Sequence, residues 1–199
     1  NGRKRSVTGA AITPARDRLG AKPMKGLLDT TAATWAKTSA ARHAWRDLSV
    51  LGMDATMLRV PDSPENRSAF ETHSRSNYPT IRLVALMTLR SHLILDGVFS
   101  GNQVGEATLA HRLVSAIPDR SVTVLDRYYH NYSIWHAINS TGEQRHFLVR
   151  GRDDLRRWTV VRNLGPGDDL VEITVSKQTR WKHPEIPQVF RVRAIQRVQ

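Results

Sequence analysis

Apolar and polar positions along the chain follow two different periods, and the switch between them divides it. Met24, Leu27, Leu28, Thr31, Ala32 and Trp35 recur at steps of three and four, one face of a helix that opens near Pro23. Upstream, Thr13 and Pro14 read as the N-cap and first turn of a shorter helix that runs to Arg18 and stops at Gly20. Residues 48–60 then read as a strand, followed by Pro61-Asp62-Ser63-Pro64-Glu65-Asn66-Arg67, a run of turn formers predicted to be loop throughout. Residues 81–89 and 92–99 are two more strand-like runs around an Arg90-Ser91 hairpin. Val104, Ala107, Ala110, Leu113, Val114 and Ile117 return to the helical period, and Pro118 closes them. A strand at 122–126 follows, then a helix over 131–140 with Ile134, Trp135 and Ile138 inward, then a strand at 146–150.

Three strands, helix, strand, helix, strand is an α/β plan with helices flanking a mixed five-stranded sheet. Beyond Arg150 the pattern changes to strands alone, at 158–161, 170–175 and 189–195, with Gly165-Pro166-Gly167 between the first two. Three regions follow: a small helical N-terminal part over 1–45, an α/β core over 46–151 and a β-rich C-terminal insertion or extension over 152–199. No repeat or low-complexity tract is visible. Asn1 is not a native start, and the alternation near 189–195 runs on toward Gln199 without a turn, so a fragment is expected.

Charge changes the picture most. Thirty Lys and Arg against eighteen Asp and Glu leave a formal net charge of +12. A polyanionic partner suits that excess, because each phosphate neutralised by a cation releases condensed counterions. Nucleic acid comes first, an anionic membrane surface second. Arginine exceeds lysine, which suits bidentate phosphate contacts, and the codon bias of a GC-rich genome explains the same excess equally well. Cysteine is absent, which excludes disulfides and Cys-based zinc sites and fits a reducing cytosol. No apolar run approaches the roughly 20 residues of a membrane span.

Two aspartates stand out against this background. Asp54 interrupts the apolar run from Leu48 to Leu58, and Asp126 ends the β-branched run from Val122. An acid within a buried strand is costly unless paired or bound to a cation. In a ribonuclease H-like order, the fourth strand lies beside the first, so Asp54 and Asp126 meet. Mg²⁺ takes one or two carboxylates plus water and substrate phosphate, so the pair is about what the protein must supply. Capping and turn roles explain an isolated pair of strand-end acids as well.

The flanking residues are more specific. Asp54-Ala55-Thr56, then Leu58-Arg59-Val60-Pro61-Asp62-Ser63-Pro64-Glu65-Asn66-Arg67-Ser68-Ala69-Phe70, resembles the Asp-Gly-Thr and Leu-x-Val-Pro-Asp-(Thr/Ser)-Pro-x-Asn-Arg-x-Ala-Phe run of DDE transposases of the insertion sequence 4 family. Residues 78–86, His92-Leu93-Ile94-Leu95-Asp96, Gly105-Glu106 and Leu109-Ala110 resemble the family's next strands and helix, and Asp126-Arg127-Tyr128-Tyr129 its Asp-Arg-Gly-Phe. The resemblance implies a ribonuclease H-like core in which Asp54 and Asp126 are the first two acids of a catalytic triad. They would hold Mg²⁺ or Mn²⁺ for cleavage and strand transfer of DNA at transposon ends. It also implies double-stranded DNA, both ends and target, as partner, a homodimer on DNA, no membrane, and a bacterial cytoplasmic, nucleoid-associated location. The family's third acid, a glutamate in Tyr-x-x-Arg-x-x-x-Glu, has no counterpart in these residues, and Glu185 in Pro184-Glu185-Ile186-Pro187 matches a segment upstream of it. Ala55 and Tyr128 stand where the family has glycine, an expected narrowing of the metal pocket.

Glu106 is a candidate auxiliary ligand, with a first-turn acid favoured by the helix dipole as the plainer reading. Asp96 reads as a strand-end residue. Arg127, Arg67, Arg3, Lys4 and Arg5 are candidate DNA contacts, Arg127 through a phosphate or else a plain ion pair. The eight histidines are scattered, and His130 and His136 fall on different helix faces, against a zinc site. Trp35 and Trp135 read as core by spacing. Trp158 and Trp181, among Arg156, Arg157, Arg180 and Lys182, read as packed within the β region, with DNA contact the alternative. A catalytically incomplete DNA-binding remnant and a ribonuclease H-type nuclease using Glu106 stand as rival functions.

Overall fold

The computed structural model describes residues 8–70, 77–151 and 158–196 of the chain. Two helices, α1 (Gly9–Leu19) and α2 (Lys22–His43), precede strand β1 (Ser49–Arg59). A short helix α3 (Pro64–Ala69) leads to the hairpin of β2 (Thr80–Thr88) and β3 (Ile94–Gly101). Helix α4 (Glu106–Leu113), β4 (Ser121–Leu125), α5 (Tyr132–Ser140) and β5 (Arg145–Val149) complete the first layer. The five strands form one mixed sheet in the order β3-β2-β1-β4-β5. β1 to β3 pair antiparallel, while β4 is parallel to both β1 and β5. Parallel neighbours need crossovers, and α4 and α5 supply them. Both the mixed sheet and its flanking helices match the α/β plan expected from the periodicity, and the order is consistent with a ribonuclease H-like fold.

One face of the sheet carries the main core. Leu51, Met53, Val84, Leu86 and Leu125 are buried with Leu109, Ala110 and Leu113 of α4 and Ile134 and Ile138 of α5. These are the alternate strand positions and the three-and-four-spaced helix positions that the pattern marks as inward. α2 runs along β3 and β1, tied to the sheet by Lys25, whose Nζ lies 3.1 Å from Asp96 Oδ1 and also pairs with Asp29.

A second sheet, in the order β6-β7-β8, is made of β6 (Trp158–Gly165), β7 (Asp168–Thr174) and β8 (Val189–Ile195), all antiparallel. Helix α6 (Lys177–Lys182) connects β7 to β8. Val171, Ile173, Val175, Ile186 and Phe190 gather around Trp135 of α5, and Phe147 and Val149 of β5 pack against both this cluster and the main core, joining the two layers. The Trp135 indole stacks on Phe147, centroids 5.0 Å apart, and its Nε1 donates to the Tyr129 carbonyl at 3.0 Å.

Several expectations change. The turn-rich run after Pro61 is not all loop: Ser63 caps α3 by accepting from the Asn66 amide, and Pro64 sits where its missing N–H costs nothing. The all-strand tail contains α6, capped likewise by Ser176 accepting from Thr179 N. β3 starts at Ile94 because His92 takes a positive φ of 55° in the turn. α4 starts at Glu106, behind Gly105, and ends in a 3-10 turn over Val114–Ala116. α1 is longer than expected and holds Pro14 in its interior. Trp35 is not core: it is 55% exposed, as no layer of the described residues covers that side of α2, and Met24 and Leu27 are exposed with it. Trp181, expected to pack, is 83% exposed, and Trp158 is 42% exposed.

Candidate metal centre

β1 and β4 run parallel in register from Ser49↔Ser121 to Met53↔Leu125, and Asp54 and Asp126 each follow that last pair. The register thus sets the two acids one residue beyond the same parallel pair. Leu51 and Met53 point into the core, so strand alternation turns Asp54 to the opposite face. There it is exposed, not buried as its apolar setting implied. No burial penalty remains to be explained, and the argument for a cation rests on the neighbouring acids.

Asp126 caps a 3-10 turn over Arg127–Tyr129, its Oδ1 accepting from Tyr128 N at 2.9 Å and Tyr129 N at 3.4 Å. Asp54 Oδ1 accepts from Ala55 N at 2.8 Å. Backbone amides thus orient both carboxylates through Oδ1, and among the described residues Oδ2 of each carries no hydrogen bond. Glu106, half-buried, is the first residue of α4.

Tyr129 ties the three acids together. Its side chain is fully buried, and its hydroxyl has no partner in hydrogen-bond geometry. Burial pushes the phenol well above its usual pKa, and the carboxylate of Glu106, then the charges of Asp54 and Asp126, push it the same way. One buried hydroxyl thus feels the charge of all three carboxylates, which come from β1, α4 and the end of β4. The set is all oxygen, the donor type that suits Mg²⁺ or Mn²⁺ and not a soft metal. Among the described residues, no three Asp, Glu or His side chains close up tightly enough to form a ready-made cation cage.

The other sequence candidates divide. Arg127 is exposed beside Asp126. Arg67 is engaged within its own segment: Nε and a terminal nitrogen grip Asp62 at 2.5 and 2.7 Å, and the guanidinium reaches the Asn77 carbonyl. That guanidinium holds the Asp62 carboxyl below its ordinary range. Arg3, Lys4 and Arg5 lie outside the described residues. Ala55 packs against the core, so its methyl turns away from the acids, and Tyr128 is 62% exposed, edge-on to Tyr129 with centroids 5.9 Å apart. Tyr129 escaped the sequence reading, although a tyrosine in the place of the motif's phenylalanine adds one hydroxyl at this point.

Sheet order and the two in-register acids place this chain among mixed α/β domains that carry acidic residues at the ends of neighbouring parallel strands. The family model for the transposase DDE domain matches residues 45–195. The transposase InsG for insertion sequence element IS4 of Escherichia coli K12 is 33% identical over 92% of this chain and 42% of its own length. The putative transposase InsZ of the same organism is 34% identical over 70% of this chain and 48% of its own. This chain belongs to the DDE transposases, within the insertion sequence 4 family. It spans about half the length of these curated relatives, 42% and 48%. A cryo-EM structure of the piggyBac transposase synaptic complex with hairpin DNA is a distant likeness, with a TM-score of 0.37 and 10% identity over 64% of this chain and 31% of that one.

Proposed function

We propose that the chain is the first part of the catalytic region of a transposase that cleaves insertion-sequence ends and transfers the strands to target DNA. The supporting observation is that Asp54 and Asp126 follow one register pair of parallel strands, in a chain of this family. On this reading residues 46–151 are the core and 152–199 an insertion within it, and the protein acts as a homodimer on double-stranded DNA at the bacterial nucleoid. Among the described residues, no helix is long and apolar enough to cross a membrane.

Asp54 and Asp126 would hold a divalent cation through their Oδ2 atoms, with Glu106 as auxiliary ligand. Such a cation, when bound, supplies the charge that stabilises attacking and leaving oxygens in an in-line displacement at phosphorus. The backbone amides of Ala55, Tyr128 and Tyr129 hold the two carboxylates in place. Arg127, beside Asp126, takes a non-bridging phosphate oxygen of the substrate strand.

Isothermal titration of Mn²⁺ into residues 1–199 tests the pair. Wild type should release heat that the Asp54→Ala, Asp126→Ala double variant does not, with circular dichroism verifying the fold of both; equal heats sink the assignment. A second reading, a DNA-binding remnant without catalysis, draws support from the lack of a closed three-ligand group among the described residues. Strand-transfer assays on the chain extended to the length of its relatives separate the two, since a remnant stays inactive there.

A further inference from the structure

The second sheet holds its charges in two different ways. Between β7 and β8, arginine meets acid: Arg191 pairs with Glu172 at 2.6 Å, and Arg193 grips Asp168 through two nitrogens. The connecting helix does the reverse. Lys177, Arg180 and Lys182 of α6 make no ion pair among the described residues, and the nearby Glu185 is taken by His183 at 3.3 Å. Arg180 Nε is buried there without a hydrogen-bond partner. Net positive charge on this sheet is therefore concentrated on α6.

The same turn carries Trp181, the most exposed large apolar side chain among the described residues at 83%. It differs from the other exposed tryptophan with a cation beside it: Trp45 has the Arg46 guanidinium 5.4 Å from its ring centroid. Among the described residues, no aromatic ring or cation packs against Trp181. Lys177, Arg180 and Trp181 stand at i, i+3 and i+4, one face of the helix, with Lys182 next to the ring. Ser176 fixes the turn by accepting from Thr179 N at 3.1 Å, so exposed Lys177, Trp181 and Lys182 and half-buried Arg180 stand on an ordered support.

We propose that α6 is a clamp on the backbone of duplex DNA, in which the Trp181 ring lies against deoxyribose while Lys177, Arg180 and Lys182 hold the flanking phosphates. A polyanion answers the three unmatched cations, and the sugars between successive phosphates offer the apolar surface a lone indole needs. A site of this kind reads no bases, since the contacts fall on the parts of DNA common to every sequence. The clamp rests on the DNA-binding reading above and adds to it a sequence-independent contact on a different sheet from Asp54 and Asp126.

Fluorescence anisotropy of a labelled 20-base-pair duplex of arbitrary sequence, titrated with residues 1–199 at several salt concentrations, tests it. Trp181→Ala should weaken binding about tenfold, as for loss of one apolar ring face, and leave the salt dependence unchanged. Lys177→Ala with Lys182→Ala should lower the slope of log K against log salt by about 2. Trp181→Phe should retain most of the affinity. Wild-type affinity in Trp181→Ala, an unchanged slope in the lysine variant, or a loss confined to single-stranded DNA each overturns the clamp. If wild type fails to bind duplex at all, the DNA-binding reading falls with it; if wild type binds and Trp181→Ala binds equally, only the clamp falls.

Discussion

Helices α2 and α5 each present a tryptophan on an apolar stripe of helical period, yet α5 buries Trp135 to 2% exposure while α2 leaves Trp35 at 55%. The stripes are similar and the surroundings are not. α5 lies between two sheets, so Ile134 and Ile138 enter the main core and Trp135 enters the second. α2 meets β3 and β1 along one flank, and of its described side chains only Ala32 is buried. Part of its polar character is satisfied within the helix, where Thr30, Thr31 and Thr34 donate to carbonyls four residues back. Periodicity reports that a face wants cover; it does not say that cover is present.

That contrast can be broken most sharply at the tryptophans. Trp135→Ala removes the shared packing of both layers and is expected to cost about 3–5 kcal/mol in urea unfolding, whereas Trp35→Ala should stay within about 0.5 kcal/mol. Equal losses would mean that α2 is packed as firmly as α5.

The anchoring of α5 on α4 sharpens it further. His111 of α4 and Ser133 of α5 lie 2.8 Å apart, and because the serine hydroxyl donates to Asn131 Oδ1, the imidazole Nε2–H must be the donor to it. Burial, followed by the nearby His183, lowers the His111 pKa, against a weaker opposing pull from Glu185. The folded-state value lies below that of the unfolded chain, so the unfolded state binds more protons in between and stability falls as pH drops. The loss begins near the unfolded value of about 6.5 and runs down through the folded one. Urea midpoints measured from pH 7.5 to 5 should fall in wild type and flatten in His111→Asn; parallel curves would remove this residue as the cause.

The smallest effect belongs to α2. Lys25 bridges Asp29 and Asp96 at the surface, and its pKa rises through those two bonds. Exposed pairs contribute little, so Lys25→Ala should cost no more than about 0.5 kcal/mol, measured by thermal unfolding. A larger loss would make this ion pair, and not apolar contact, the chief attachment of α2.

Much of the fold was legible because its signals are long. The strands of β1, β2 and β4, the inward stripes of α4 and α5, and the succession that leads to β4 beside β1 all follow from periods extending over five residues or more. α3 and α6 escaped because six residues are too few to display a period; each depends on a serine N-cap, Ser63 or Ser176, amid turn-forming neighbours. The candidate site was half legible. Asp54 and Asp126 announced themselves by breaking apolar runs, but the reason assigned to Asp54, burial, does not hold. Tyr129 was hidden because nothing local marks a hydroxyl that acquires its meaning from Glu106, twenty-three positions earlier on another element.

What the amino-acid sequence determined by itself is the alternation that sends Leu51 and Met53 one way and Asp54 the other, the inward stripes of α4 and α5, and the charge excess of +12. These depend on neighbours a few positions apart, where covalent geometry sets which side chains share a face. Only the tertiary structure decided that Asp54 is exposed, that Trp135 is buried against the second sheet while Trp35 is bare, and that a buried phenol feels the charge of three carboxylates. Each of those depends on which surfaces meet across long stretches of chain, and burial and electrostatic coupling come into being only once they do.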